Sequence, residues 1–174
     1  MTNDSSRYDI QPLPQSTDDR GDLSQSVKSS WRRFNVTANE LSIALGRTKN
    51  IVGEYAEHLA NQYYRGRLLD VSEASSDIEM PDGTRYQVTS RKISGSPTTK
   101  LNVIRSWDFD FLVVILFNEI GDVYRAIELP MLAAKEYAKR VERQGGDIIT
   151  TSRAFLIDPR AKDITEAISA LNST

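Results

Sequence analysis

Cysteine is absent from this chain of 174 residues, histidine occurs once, and long hydrophobic runs are missing. Without cysteine there is no disulfide scaffold, no thiolate zinc site and no cysteine nucleophile. The single histidine, His58, rules out a His-rich metal centre and leaves a Ser-His-Asp triad only that residue as its base. The longest apolar run, Phe111 to Phe117, has seven residues, against the roughly 20 that a membrane-spanning helix needs. Residues 1–30 hold no apolar segment of the secretory type, so a cytoplasmic location and no membrane partner are expected. Charge of one sign is lacking too. With 22 Lys and Arg against 24 Asp and Glu, the net charge of −2 points by itself to no polyanionic partner. Any chemistry must rest on carboxylates, amides, hydroxyls, lysine and arginine.

What is present divides into three parts. Residues 1–22 are rich in Ser, Asp, Gln and Pro, with five acids and two arginines. Such a segment buries too little apolar surface to offset its ordering entropy and reads as a disordered acidic tail. The remainder is near +1. Residues 23–46 read as a helical extension. It holds a short helix over 23–34 with Val27, Trp31 and Phe34 on one edge, then a second opened by Thr37 and Glu40 in capping-box spacing. Residues 47–174 read as the main domain.

Its first element is a helix from about Lys49 to Tyr64, with Val52, Tyr55, Ala56, Leu59 and Tyr63 as an apolar stripe. Short strands are expected over 68–71 and 76–80, a turn at Pro81-Asp82-Gly83, and an alternating strand from Thr84 to Ile93. Phe111 to Phe117 reads as a strand buried on both faces, with Val123 to Leu129 its hairpin partner. A helix from Pro130 to about Arg143, short strands at 148–149 and 155–157, and a final helix capped by Asp163 complete the order. The class is α/β (α+β), with one central mixed sheet flanked by helices.

One constellation carries chemistry. An Asp on a short strand, followed across a hairpin by an acceptor-x-Lys triplet, holds a divalent cation for phosphodiester hydrolysis. The oxygen ligands bind the ion, and the lysine steadies the attacking water or the developing charge. Here Asp77 precedes the turn and Gln87-Val88-Thr89 follows it, with the triplet's ends on one sheet face. Glu54 and Glu57 share one face of the upstream helix and could add a carboxylate.

In these features the chain resembles the small bacterial proteins of the restriction-endonuclease-like PD-(D/E)xK superfamily whose triplet is Gln-x-Lys. The resemblance runs in order over roughly residues 47–170. It rests on Arg47-Thr48, Asn50 and Gly53-Glu54-Tyr55-Ala56-Glu57, then Asp77, Asp82-Gly83-Thr84 and Tyr86 to Lys92. It continues through Phe109 to Val113, Leu116 to Glu119, Ile127 to Pro130, Asp158-Pro159 and Asp163 to Thr165. It implies a three-layer nuclease core and a Mg²⁺-dependent DNA endonuclease, or a degenerate relative, acting in restriction or defence. Asp77, Gln87 and Glu54 are the implied metal ligands, with Glu57 assisting. A homodimer also suits such an enzyme, since two strands need two sites.

The departure falls on the lysine, which here is Thr89. Arg91 lies on the same face, about 7 Å along the strand, and could meet the scissile phosphate in its place. Lys92 projects from the opposite face. Arg91, Lys92, Lys100 and Arg105 make a candidate phosphate-tracking patch. Two other readings compete. One is a catalytically inactive nuclease-fold subunit that binds DNA or protein. The other is a helix-turn-helix regulator, with Thr48, Lys49 and Asn50 meeting base edges.

Overall fold

A computed structural model of the chain describes residues 19–45, 52–69 and 76–173. Thr48, Lys49, Asn50, most of the acidic tail and the end of the 68–71 strand lie outside the described residues. The fold is built on β4 (Phe111–Phe117), whose unbroken apolar run supplies both faces of the sheet. Val113, Ile115 and Phe117 point into one core and Leu112, Val114 and Leu116 into another. Period-two geometry makes this division obligatory, so each face needs its own cover.

Around β4 lie β3 (Arg85–Lys92), paired parallel, and β5 (Val123–Pro130), paired antiparallel through the expected hairpin. The short strands β1 (Arg67–Leu68) and β2 (Ile78–Glu79) extend one edge, antiparallel throughout. Later strands are β6 (Ala138–Val141), β7 (Gly146–Ile149) and β8 (Lys162–Asp163). The main sheet has the order β1-β2-β3-β4-β5-β8, while β6 and β7 form a separate hairpin. This is the expected mixed sheet flanked by helices.

On one face pack helices α1 (Asp19–Leu45), α2 (Val52–Tyr64) and, at the far end of the chain, α5 (Thr165–Ser173). Asp163 accepts a hydrogen bond from the Thr165 backbone N–H (3.0 Å) at the start of α5, as its sequence position suggested. The other face is covered by α3 (Met131–Lys135), α4 (Arg153–Leu156), the β6–β7 hairpin and the β3–β4 crossover. Among the described residues, no helix is long and apolar enough to cross a membrane.

Three local expectations are corrected. Thr37 does not open a helix but lies inside α1. The buried residues Lys28, Trp31, Asn35 and Ala38 continue one helical stripe past it, so packing overrides the capping-box signal. The helix from Pro130 stops at Lys135, leaves Leu132 exposed, and gives way to β6, which pairs across Gly145 with β7. Phe155 and Leu156 are helical rather than extended, because Ser152 caps α4 through the Phe155 backbone N–H (3.2 Å).

The turn between β4 and β5 locks the helical layer to the sheet. The Gly121 carbonyl accepts from Asn172 Nδ2 (3.2 Å) and, at longer range, from Trp31 Nε1 (3.4 Å). Tyr55 donates to Asn172 Oδ1 (2.7 Å), so α1, α2 and α5 meet at one turn. Gly121 has φ +91°, and a Cβ there would sit 2.8 Å from Asn35 Cγ. Gly95, at φ +75°, has open space around it. Gly121→Ala is therefore expected to lower stability by about 2 kcal/mol or more, and Gly95→Ala by about 1 kcal/mol, as read by urea unfolding. Equal losses at both positions would remove the Asn35 contact from the account.

Candidate functional site

Asp77 stands where the β2–β3 ladder ends. Its backbone N–H donates to the Tyr86 carbonyl (2.8 Å), which brings its side chain to Gln87 and Val88. Because β2 is only two residues long, the Val88 N–H has no strand acceptor. The Asp77 carboxylate supplies one: Oδ2 accepts from Val88 N (2.6 Å) and from Gln87 Nε2 (2.5 Å). Satisfying an otherwise orphaned backbone donor is a structural task in its own right. Burial pushes the Asp77 carboxyl up to about 6, against the lowering pull of those two hydrogen bonds.

Glu57, on α2, is half-buried. Its carboxyl is pushed up to about 7, first by burial and then by the charges of Asp77 and Glu54. Glu54 is exposed at the rim. The helix therefore does bring a second carboxylate within electrostatic reach of Asp77. Gln87, Thr89 and Arg91 are in register with Leu112, Val114 and Leu116, so they face the second core and not α2.

Thr89 is 5% exposed, and its Oγ1 has no hydrogen-bond partner among the described residues. Arg91 is turned away along the sheet, its Nε donating to the Lys100 carbonyl (2.9 Å). Lys92 is on the α2 side of the sheet. There burial lowers its pKa and the charge of Glu119 opposes that shift. Lys100 and Arg105 are exposed on the β3–β4 crossover.

These residues do not make a ready seat for Mg²⁺. Among the described residues, no three Asp, Glu or His side chains are grouped to hold a metal ion. Oδ2 of Asp77 is already engaged by two donors. Gln87 meets it through N–H, since an amide oxygen would be repelled at that distance.

The helix-turn-helix reading rests on residues outside the described range, but α2 itself is a layer of the core. Val52, Tyr55, Ala56, Leu59 and Ala60 are buried, and the chain passes from α2 into a strand. A cavity of about 400 Å³ opens between α1 and α2, lined by Trp31, Phe34, Tyr55 and His58. It lies on the opposite side of the sheet from Gln87 and Thr89. Burial lowers the His58 pKa there, with the Lys28 charge adding to the effect.

Sequence reasoning missed the capping role of Asp77 and the cations of the β6–β7 hairpin, Lys139, Arg140 and Arg143. The pair Gly145-Gly146, between two short segments, was the available signal for that hairpin.

The raised carboxyls give a pH signature. Both folded-state values exceed the unfolded ones, so the native state holds protons that the unfolded chain has released. Stability is then greatest below about pH 4 for these two groups and falls as pH rises towards 7. Glu57→Gln is expected to flatten that fall, raising Tm at pH 7.5 relative to wild type but not at pH 4, in thermal melts across pH. An unchanged slope would show that Glu57 is solvated. Thr89→Val removes a buried unpartnered hydroxyl at constant shape and is expected to raise unfolding free energy by about 1 kcal/mol. A loss of similar size would mean that the hydroxyl has a partner.

Compared with models of known protein families and with curated proteins, the sequence matches none.

Proposed function

We propose that this protein is a degenerate restriction-endonuclease-like module that binds DNA without hydrolysing it. The observation that carries this reading is the state of position 89. Where the resemblance calls for a lysine, a buried threonine stands, and the nearest substitute, Arg91, is held on the Lys100 carbonyl. Loss of one such charge removes roughly 10²- to 10³-fold in rate. The acidic end of the site is compromised as well, with Asp77 engaged by Gln87 and by the Val88 N–H.

Each residue then has a role that needs no chemistry. Asp77 terminates the β2–β3 ladder, Gln87 shields its charge, and Thr89 fills space beneath the crossover. Glu57 remains a half-buried acid beside them. Support for binding comes from the cations beyond the site. Lys100 and Arg105 are exposed, and neither makes an ion pair among the described residues. A role in restriction or defence would then be that of a recognition or targeting subunit, with cleavage supplied by a partner.

The test combines cleavage and binding. Wild type, Asp77→Ala and Thr89→Lys are incubated with supercoiled plasmid and Mg²⁺ or Mn²⁺, and duplex binding is followed by gel shift in EDTA. Wild type is expected to bind in EDTA and to leave the plasmid intact with either metal. Cleavage by wild type that Asp77→Ala abolishes would overturn the reading in favour of an active nuclease. Absence of binding would overturn its DNA-binding half.

A further inference from the structure

The β6–β7 hairpin and the β3–β4 crossover are far apart in sequence, yet the fold welds them into one surface. Ile104 and Asp147 exchange backbone hydrogen bonds (2.8 and 2.9 Å), and Leu101 N–H donates to the Ile149 carbonyl (2.9 Å). Gly146 permits the approach. A Cβ at that position would fall 2.4 Å from Val103 Cγ1 and 2.7 Å from the Ile104 carbonyl oxygen. Ile149, Leu101 and Ile104 are buried in the core beneath, which decides the inward side. By alternation Lys139, paired with Ile148, is outward. Arg105 and Lys100 are exposed on the adjoining crossover, and Arg143 is exposed at the hairpin tip. The tip turns tightly through Glu142–Gln144 and closes on Gly145 at φ +64°.

The charges on this surface do not cancel. Its acids are already occupied: Glu142 pairs with Arg140 (3.2 Å), Asp147 takes Trp107 Nε1 (2.7 Å) and lies 3.9 Å from Arg140, Asp108 pairs with Arg85 (2.7 Å), and Asp110 accepts from the Arg85 backbone N–H (2.8 Å). Lys139, Arg143, Lys100 and Arg105 make no ion pair among the described residues. Arg91, anchored on the Lys100 carbonyl, joins this surface to the sheet face that carries Gln87 and Thr89. The result is a strip of uncompensated cations on a rigid, core-backed scaffold. Such a strip suits a polyanion with regularly spaced charge.

We propose that this hairpin surface is the contact for duplex DNA, with Lys139, Arg143, Lys100 and Arg105 meeting phosphates and the hairpin tip directed at the major groove. The inference rests on the DNA-binding reading above and locates it. A two-stranded tip fits the B-form major groove, about 12 Å wide. The narrow A-form groove of duplex RNA excludes side chains, which favours DNA.

The experiment measures fluorescence anisotropy of a labelled mixed-sequence DNA duplex with the full chain over a range of NaCl concentrations. The variants are Lys139→Ala/Arg143→Ala/Arg105→Ala, the single charge reversal Lys139→Glu, and Arg33→Ala on α1 as a control. Each lost phosphate contact should reduce the slope of log affinity against log salt by about 0.9. The triple variant is thus expected to lose between two and three units of slope, as about 0.9 per contact implies, with at least a tenfold loss of affinity at low salt. Lys139→Glu should weaken binding, Arg33→Ala should match wild type, and all melting temperatures should stay near that of wild type. A wild-type slope in the triple variant would overturn the hairpin assignment while leaving DNA binding intact. No binding by wild type at low salt would overturn both. Tighter binding of an RNA duplex of the same sequence would overturn the choice of DNA.

Discussion

A strand that is apolar on both faces cannot be left half covered, and β4 imposes that requirement on everything around it. Six of its seven residues send alternate side chains into two buried cores. Truncating a buried aromatic such as Phe117 in such a strand typically costs roughly 3–5 kcal/mol, so neither cover is optional. One cover is helical, and the turn at Gly121 ties its three helices together. The other is assembled from short pieces: two brief helices, a hairpin, and a crossover that lacks regular structure for most of its length. That asymmetry sets the location of everything else.

The candidate site sits at the edge of this plan, where β2 runs out. A sheet edge that ends early leaves backbone groups without partners, and the Asp77 carboxylate closes the gap. In an active metal site the same carboxylate would have to be free, and an adjacent cation would have to balance developing charge. Here Asp77 Oδ2 meets two donors, and Thr89 buries its hydroxyl in the neighbouring strand β3. Burial holds the Asp77 pKa up, and burial with the charges of Asp77 and Glu54 does the same for Glu57. Protonation near neutrality is one way for such groups to shed their charge.

The assembled second cover is also where the surface cations gather. Because the crossover must lie flat on the hairpin to seal the core, Lys100 and Arg105 come beside Lys139 and Arg143. Gly146 makes that seal, so a packing requirement brings the charges together. The cations on this side outnumber the acids available to them, whereas Glu54, Glu57, Asp77 and Glu79 gather near the other edge of the sheet.

Much of the frame was legible in the residues alone. The run Phe111 to Phe117, the hairpin to β5, the turn at Pro81-Asp82-Gly83, the stripe of α2 and the Asp163 cap are local signals, and each is read within a few residues. The alternation of Gln87, Thr89 and Arg91 was legible for the same reason. What escaped were segments whose conformation depends on distant partners. Residues 138–141 are a strand only because 146–149 lie opposite. Thr37 is inside a helix only because Trp31, Asn35 and Ala38 share a buried stripe. The sequence by itself determined the strand order's central element, the residue types at the site and the absence of the lysine, because these depend on identity and short-range periodicity. Tertiary structure alone decided that Asp77 is engaged, that Arg91 points away, and that four cations share one surface, because hydrogen-bond partners and surface neighbours are set by long-range packing.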